Sequence, residues 1–437
     1  MKRLKLSPST LLLFVYGTFI SLGAVLLKLP ISTNGPLSWI DALFTSTSAM
    51  TVTGLGVVDT GTHFTRFGQV VIMGLIQVGG LGIISFAMLI FIMTGKKIGL
   101  KKRLVIQQAL NQDQVGGIIR LVKYLFIISL TIETAAALAL SIKWIPELGW
   151  RNGIFYSFFH AVSAFNNAGF ALWPDNLSRY VGSPIVNIAI TTLIILGGIG
   201  FTVIADVWQK RKWKRLSLNT KVMLVSTVIL NLILFLLFFL LERNNGHSLA
   251  KLSLSDQLWA SYFQAIAVRT AGFNTIDLSG IDPSTAFLWM IAMFIGAGSG
   301  STAGGIKLTT FVVLIVSMLT YVQGRKDIHL FKRTIRQEHV LRVLSITTVS
   351  SFIVVAGILL LNITEKLPFL PLAFEAVSAF GTVGLTMGIT ASLSIIGKLI
   401  IILIMITGKV GPLTLVYILA RKQQDHYRYP TEDILTG

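Results

Sequence analysis

Eight apolar segments, each long enough to cross a bilayer core at about 20 residues per helix, constrain this chain more than any other feature. They cover residues 11–29, 68–94, 121–142, 184–207, 222–241, 284–322, 340–361 and 393–420. Only 13% of the residues are charged and 53% are hydrophobic, with mean hydropathy +0.76; a soluble domain has about a quarter charged. Between the members of each successive pair lies a shorter amphipathic stretch, at 38–50, 153–165, 256–268 and 368–380. These are too short to cross, and each runs into a polar turn containing glycine, the pattern of a re-entrant half-helix and loop.

The four stretches fall into register. Phe44, Ser48, Ala49 and Gly54 recur as Phe159, Ser163, Ala164 and Gly169, and again as Phe374, Ser378, Ala379 and Gly384. The third, QAIAVRTAGF, fits with one residue deleted and puts Gly272 in the same column. Self-similarity at a fixed period marks internal repeats. The units are 1–103, 104–215, 216–333 (carrying the loop 296–305) and 334–437 with a C-terminal tail. The expected fold class is all-α integral membrane: eight transmembrane helices and four re-entrant helices, arranged as four parallel repeats around one central pore.

Orientation follows from the basic residues. The chain has 37 Lys+Arg against 18 Asp+Glu, a formal +19. Such an excess suggests nucleic acid when it gathers on one face, but here it is dispersed between spans, and no nucleic-acid partner is expected. The N-terminus, 95–123, 206–221, 324–342 and the tail from Arg421 together hold 25 of the bases and seven of the acids, +18 in all. Those segments are assigned to the cytoplasm. Lys2, Arg3 and Lys5 precede an apolar run from Leu11 to Leu29 that lacks a small-residue cleavage site, so the run reads as a retained first span. The expected location is therefore the plasma membrane, multi-pass, with both termini cytoplasmic and the four turns open to the outside. Inverted repeats, common in secondary carriers, would need odd span numbers per unit. The absence of cysteine excludes disulfides and thiolate chemistry.

A half-helix that stops near the midplane aims its negative dipole end, and then free carbonyls, at the axis. Rings of backbone carbonyls can replace the hydration shell of a monovalent cation; the potassium-channel filter is the known example. Glycine supplies backbone angles that a β-carbon resists. The candidate filter is Val52, Thr53 and Gly54; Asn167, Ala168 and Gly169; Thr270, Ala271 and Gly272; and Thr382, Val383 and Gly384, with K⁺ expected at the four glycines. A second glycine cluster follows each turn: GGLG from Gly79, GGIG from Gly197, GAGSGSTAGG from Gly296 and GKVG from Gly408. Three are read as close helix packing through small residues. The third, with five glycines, two serines and a threonine in ten residues, cannot sit comfortably inside a helix. The sixth span is expected to break there, with Gly296, Gly298, Ser299, Gly300, Ser301, Thr302, Gly304 and Gly305 forming a gate.

TVTGL at Thr51, FNNAGF at Phe165, RTAGFNT at Arg269, SAFGTVGLTMG at Ser378 and GAGSGSTAGGIK at Gly296 resemble the membrane subunits of the Trk/Ktr/HKT potassium transporters, specifically the Ktr type. The resemblance covers nearly the whole chain. It implies four M1-P-M2 units, K⁺ as the transported ion, Na⁺ as a frequent activator, and a homodimer seated on a cytosolic ring of RCK-type subunits that bind ATP or ADP. No cofactor is implied for this chain itself. Plant relatives that prefer Na⁺ carry Ser in the first turn; Gly54 stands there and favours K⁺. Two departures concern the gate. Lys409 occupies a position usually held by Arg, and Lys lacks the planar five-donor fork. Gly300 and Gly304 stand where relatives often have Ala or Ser, which implies a more flexible loop.

Other polar residues keep two readings each. Glu133 inside the third span is a functional candidate by its position or a partner near a helix end. As a coupling site it would support an alternative class, an H⁺- or Na⁺-coupled secondary carrier. Lys307 either contacts the loop or faces the inner vestibule. Asn166 and Asn167 either shape the second turn or line the pore. Arg269 is expected to pin the loops by hydrogen bonds, since a cation beside a cation pore repels. The six histidines show no ligand spacing. GGIKLTT lacks the GK[ST] of a phosphate loop, so ATP hydrolysis, and enzymatic activity generally, is not expected. Membrane lipid and the regulatory ring remain the expected contacts of the basic inner loops.

Overall fold

The computed structural model describes residues 8–82 and 118–411, with positions 430 and 432. Lys2, Arg3 and Lys5, the later parts of the second and eighth expected spans, the basic stretch 95–117 and nearly all of the tail from Arg421 lie outside the described residues. In chain order the helices are α1 (Pro8–Lys28), α2 (Trp39–Met50), α3 (Thr60–His63), α4 (Arg66–Leu81), α5 (Ile118–Phe165), α6 (Pro184–Gly198), α7 (Phe201–Lys210), α8 (Leu218–Glu242), α9 (Leu254–Ala267), α10 (Pro283–Phe294), α11 (Leu308–Val322), α12 (Gln337–Thr364), α13 (Phe369–Gly381) and α14 (Ile395–Val410). A charged hairpin, β1 (Ile328–Leu330) against β2 (Arg333–Ile335), is the sheet among the described residues.

The half-helices form where the spacing placed them, as α2, residues 150–165 of α5, α9 and α13. Two begin with the same local device. Ser38 Oγ accepts from the Asp41 amide at 3.1 Å and Ser253 Oγ from the Asp256 amide at 3.2 Å, while each hydroxyl donates back to the aspartate carboxylate. This satisfies amides that a helix start leaves unpaired. The third span and second half-helix run together, divided only at Gly149, whose φ of 76° interrupts the helical path. Phe44, Phe159, Phe263 and Phe374, one per half-helix, are fully buried, so the core lies behind the four turns.

The spans differ from eight uninterrupted rods. Among the described residues, three helices are long and apolar enough to cross alone, over Tyr124–Phe165, Leu218–Glu242 and Gln337–Thr364. The pair α6 and α7 is long and apolar enough only when taken together, and it is bent by 93°. The sixth span divides into α10 and α11 as expected. The break in the fourth was not expected, and its cause is GGIG itself. Gly197 packs so closely that a Cβ there would lie 1.8 Å from the Phe165 carbonyl oxygen, and two residues past α6 Gly200 takes φ +97°. Gly79 and Gly408 repeat the packing against the Met50 and Phe380 carbonyls, at 1.9 Å each, and Gly82 and Gly411 repeat the turn, at φ +84° and +94°. Each of these three clusters therefore packs at its first glycine and turns at its last.

Candidate functional site

Three of the four half-helices end in the same hydrogen-bonded hook. The amides of Val52, Asn167 and Thr382 donate to the carbonyls of Ala49, Ala164 and Ala379 at 3.1, 3.1 and 3.2 Å. Those of Thr53, Ala168 and Val383 donate to Ser48, Ser163 and Ser378 at 2.8, 2.8 and 2.9 Å. The third turn, one residue shorter, joins Ala271 to Ala267 at 3.1 Å. In all four the chain turns left-handed twice, at Val52, Asn167, Thr270 and Thr382 (φ 51°, 56°, 73° and 48°) and again at Gly54, Gly169, Gly272 and Gly384 (φ 92°, 69°, 72° and 91°). The glycine positions were legible in the sequence. Of the left-handed positions two residues earlier, Asn167 was readable, since Asn tolerates such backbone angles; Val52, Thr270 and Thr382 were not, because Val and Thr disfavour positive φ. Such conformations cost of order 1–3 kcal/mol each and persist where the surroundings over-determine them.

The four turns meet. A Cβ built on Gly54 would lie 2.4 Å from the Ala168 carbonyl oxygen; on Gly169, 2.8 Å from that of Ala271; on Gly272, 2.4 Å from that of Val383; and on Gly384, 2.1 Å from that of Thr53. The contacts close into a ring in sequence order, with room for hydrogen and nothing larger. Among the described residues, the carbonyls of Thr53, Ala168, Ala271 and Val383 accept no hydrogen bond. Four unpaired carbonyl oxygens among buried residues have the chemistry that a desolvated cation requires.

The glycine-rich loop lies against this ring. A Cβ on Gly304 would strike the Thr382 side chain at 2.4 Å, and one on Gly305 would come 3.3 Å from Gly381 Cα. Its amides reach the other clusters: Gly298 donates to Gly198 at 2.7 Å and Gly305 to Gly408 at 3.3 Å, while Phe201 donates to Gly300 at 3.1 Å. Thr302 Oγ1 donates to the Gly197 carbonyl at 3.2 Å. Lys409 Nζ donates to the Thr302 carbonyl and Lys307 Nζ to the Ala303 carbonyl at 2.6 Å, so both lysines hold neighbouring carbonyls of the loop. Ser301 Oγ donates to the Gly298 carbonyl at 2.7 Å. A Cβ at Gly304 would thus meet the Thr382 side chain, and Gly300 takes φ +67°, so both glycines shape how the loop is seated.

Each turn has its own backing. Behind the first, Ser48 Oγ accepts from the Gly54 amide at 3.0 Å, and Ser378 does the same for Gly384 at 3.1 Å. Behind the second, Glu133, 1% exposed, accepts from Gln77 Nε2 at 3.2 Å and Asn166 Nδ2 at 3.3 Å, and Asn166 also donates to Gln77 Oε1 at 2.8 Å. Gly80 leaves the space that Asn166 occupies. Thr270 Oγ1 and the Asn167 amide pair at 3.2 Å between the second and third turns. Beside the fourth, Glu375 accepts from Thr386 at 2.7 Å and from Thr390. Gln77 and Glu375 carried no signal in the sequence beyond being polar in apolar surroundings. Arg269 departs from expectation: among the described residues, its buried Nε and Nη1 have no hydrogen-bond partner.

Residues 17–428 match the TrkH family, described as a cation transport protein. The chain is 55% identical over its whole length to the Ktr system potassium uptake protein B of Bacillus subtilis, covering 98% of that protein. It is 41% identical to the potassium/sodium uptake protein NtpJ of Enterococcus hirae, over all of this chain and 98% of that one. The crystal structure of the potassium transporter TrkH from Vibrio parahaemolyticus shares the fold, with a TM-score of 0.77 at 20% identity over 96% of this chain and 86% of that one. The match runs through all four turns and the loop against them, and the chain belongs to the TrkH family of multi-pass membrane cation transport proteins, among its Ktr-type members.

Proposed function

We propose that this chain is the pore-forming subunit of a K⁺ uptake system, with the four-turn ring as selectivity filter and the loop Gly296–Gly305 as an intramembrane gate. The closed ring of glycines with unpaired carbonyls carries the reading, and the potassium uptake proteins among its relatives support it. K⁺ loses water at the ring, enters the space beyond it and passes when the loop moves aside. The basic segments face the cytoplasm and seat an RCK-type ring carrying ATP or ADP; the membrane unit is a homodimer, and Na⁺ acts as an activator. The test is rubidium uptake into proteoliposomes with Na⁺ competition, with and without the cytosolic ring. Gly54→Ser should admit Na⁺ far better, because a side chain there displaces the Ala168 carbonyl; an unaltered K⁺/Na⁺ ratio removes the first turn from the filter. Deleting Gly298–Gly304 should raise flux, and unchanged flux and regulation would end the gate reading.

A further inference from the structure

The residue after the buried phenylalanine of each half-helix is polar: Thr45, His160, Gln264 and Glu375, none more than 2% exposed. Thr45 and Gln264 carry no charge. His160 Nε2 accepts the Leu172 amide at 3.2 Å, which only an unprotonated ring nitrogen can do. Glu375 differs from all three. Its Oε2 accepts from Thr386 at 2.7 Å and its Oε1 from Thr390. Thr386 Oγ1 takes the Gly388 amide at 3.1 Å, which leaves its own proton for the acid, and Thr390 Oγ1 lies closer to the acid than to Thr386 Oγ1, 3.1 Å away. With both oxygens accepting, Glu375 has the acceptor-only pattern of an ionised carboxylate. None of the ion pairs among the described residues includes it, and a buried charge without a partner is costly. Glu375 precedes Ser378, whose hydroxyl holds the Gly384 amide, by three residues, a helix rise of about 4.5 Å. Thr386, half-buried, lies two residues beyond Gly384. One hydroxyl therefore stands between the carboxylate and the segment that leaves the fourth turn. In low-dielectric surroundings a charge so close to the ring is felt there, and burial limits its screening by salt.

We propose that Glu375 is a fixed negative charge that raises the affinity of the ring for monovalent cations, with the transported ion as its countercharge. It touches no ion and acts through its field, so it attracts K⁺ and Na⁺ alike; discrimination between them stays with the carbonyls of Thr53, Ala168, Ala271 and Val383. One acid among four equivalent positions strengthens binding and still lets the ion leave, as conduction requires. The inference rests on the reading of the ring as the filter.

The test is the concentration dependence of rubidium uptake by the full chain in proteoliposomes. Glu375→Gln keeps the shape and removes the charge. It should raise KM several-fold and lower the maximal rate far less, the signature of lost uniform binding. The inhibition constant of competing Na⁺ should rise by the same factor, which leaves the K⁺/Na⁺ ratio as in wild type. Glu375→Asp, which restores the charge on a shorter stem, should recover most of the KM. An unchanged KM in Glu375→Gln overturns the proposal. So does a shifted K⁺/Na⁺ ratio, or an Asp variant as weak as the Gln one, since either marks a role in holding shape alone. If Gly54→Ser keeps its K⁺/Na⁺ ratio while Glu375→Gln raises KM, the charge acts on the ion path and the filter reading fails by itself.

Discussion

Glu133 shows how much one residue's neighbours decide. An acid in a span reads equally as a coupling site or a structural partner, and the sequence offers no way to choose. In the fold its carboxylate is closed off by two amides that also grip each other, and one of them belongs to Asn166, next to left-handed Asn167. Removing the carboxylate in Glu133→Ala strands the Gln77 Nε2 donor, at about 1–3 kcal/mol for a buried polar group left unpaired, while Asn166 keeps Gln77 Oε1 and the Val162 carbonyl. The expected outcome is a lower unfolding midpoint together with weaker exclusion of Na⁺ in rubidium uptake. Glu133→Gln, which keeps an acceptor oxygen, should recover most of both. Loss of ion coupling with conduction preserved in Glu133→Gln would instead support a carrier. The four turn glycines were legible because four copies in register amplify a weak motif. Arg269 was not legible, because its type suggests hydrogen bonds that its Nε and Nη1 do not make among the described residues.

At the scale of elements, the half-helices and the broken sixth span were readable, the first from spacing and the second from composition. The bend between α6 and α7 was hidden because GGIG has the same letters as a packing motif, and it is one at Gly197. Gly200→Ala places a Cβ at φ +97° and 2.6 Å from the Ser299 carbonyl oxygen, in a region of backbone space that costs of order 1–3 kcal/mol for other residues. That variant should unfold at lower temperature and lose control of flux, since Phe201 bonds the loop at Gly300; wild-type regulation would show that the bend is dispensable. Lys409→Met removes the donor to Thr302 while keeping length. It should raise basal rubidium flux several-fold, and a flux equal to wild type would separate that lysine from the gate.

For the molecule as a whole, parallel repeats imply closure, but no local pattern names the residues that join the last repeat to the first. Lys398 at the start of α14 donates to Asp41 of α2 at 2.7 Å, with side-chain exposures of 13% and 19%. Pairs this sheltered lie between exposed bridges and fully buried ones, so Lys398→Met should cost about 2 kcal/mol. A double-mutant cycle with Asp41→Asn checks it, and additive losses would mean that the pair contributes nothing of its own.

The backing of the ring differs from turn to turn: a serine hydroxyl behind the first, an acid and two amides behind the second, a buried arginine beside the third, and a serine with a hydroxyl-bonded acid at the fourth. The backbone is fourfold and its supports are not. In a channel assembled from four identical chains, any substitution at the filter arrives four times over. Here a substitution changes one quadrant and leaves three as they were, so the sides of the ring can specialise one at a time.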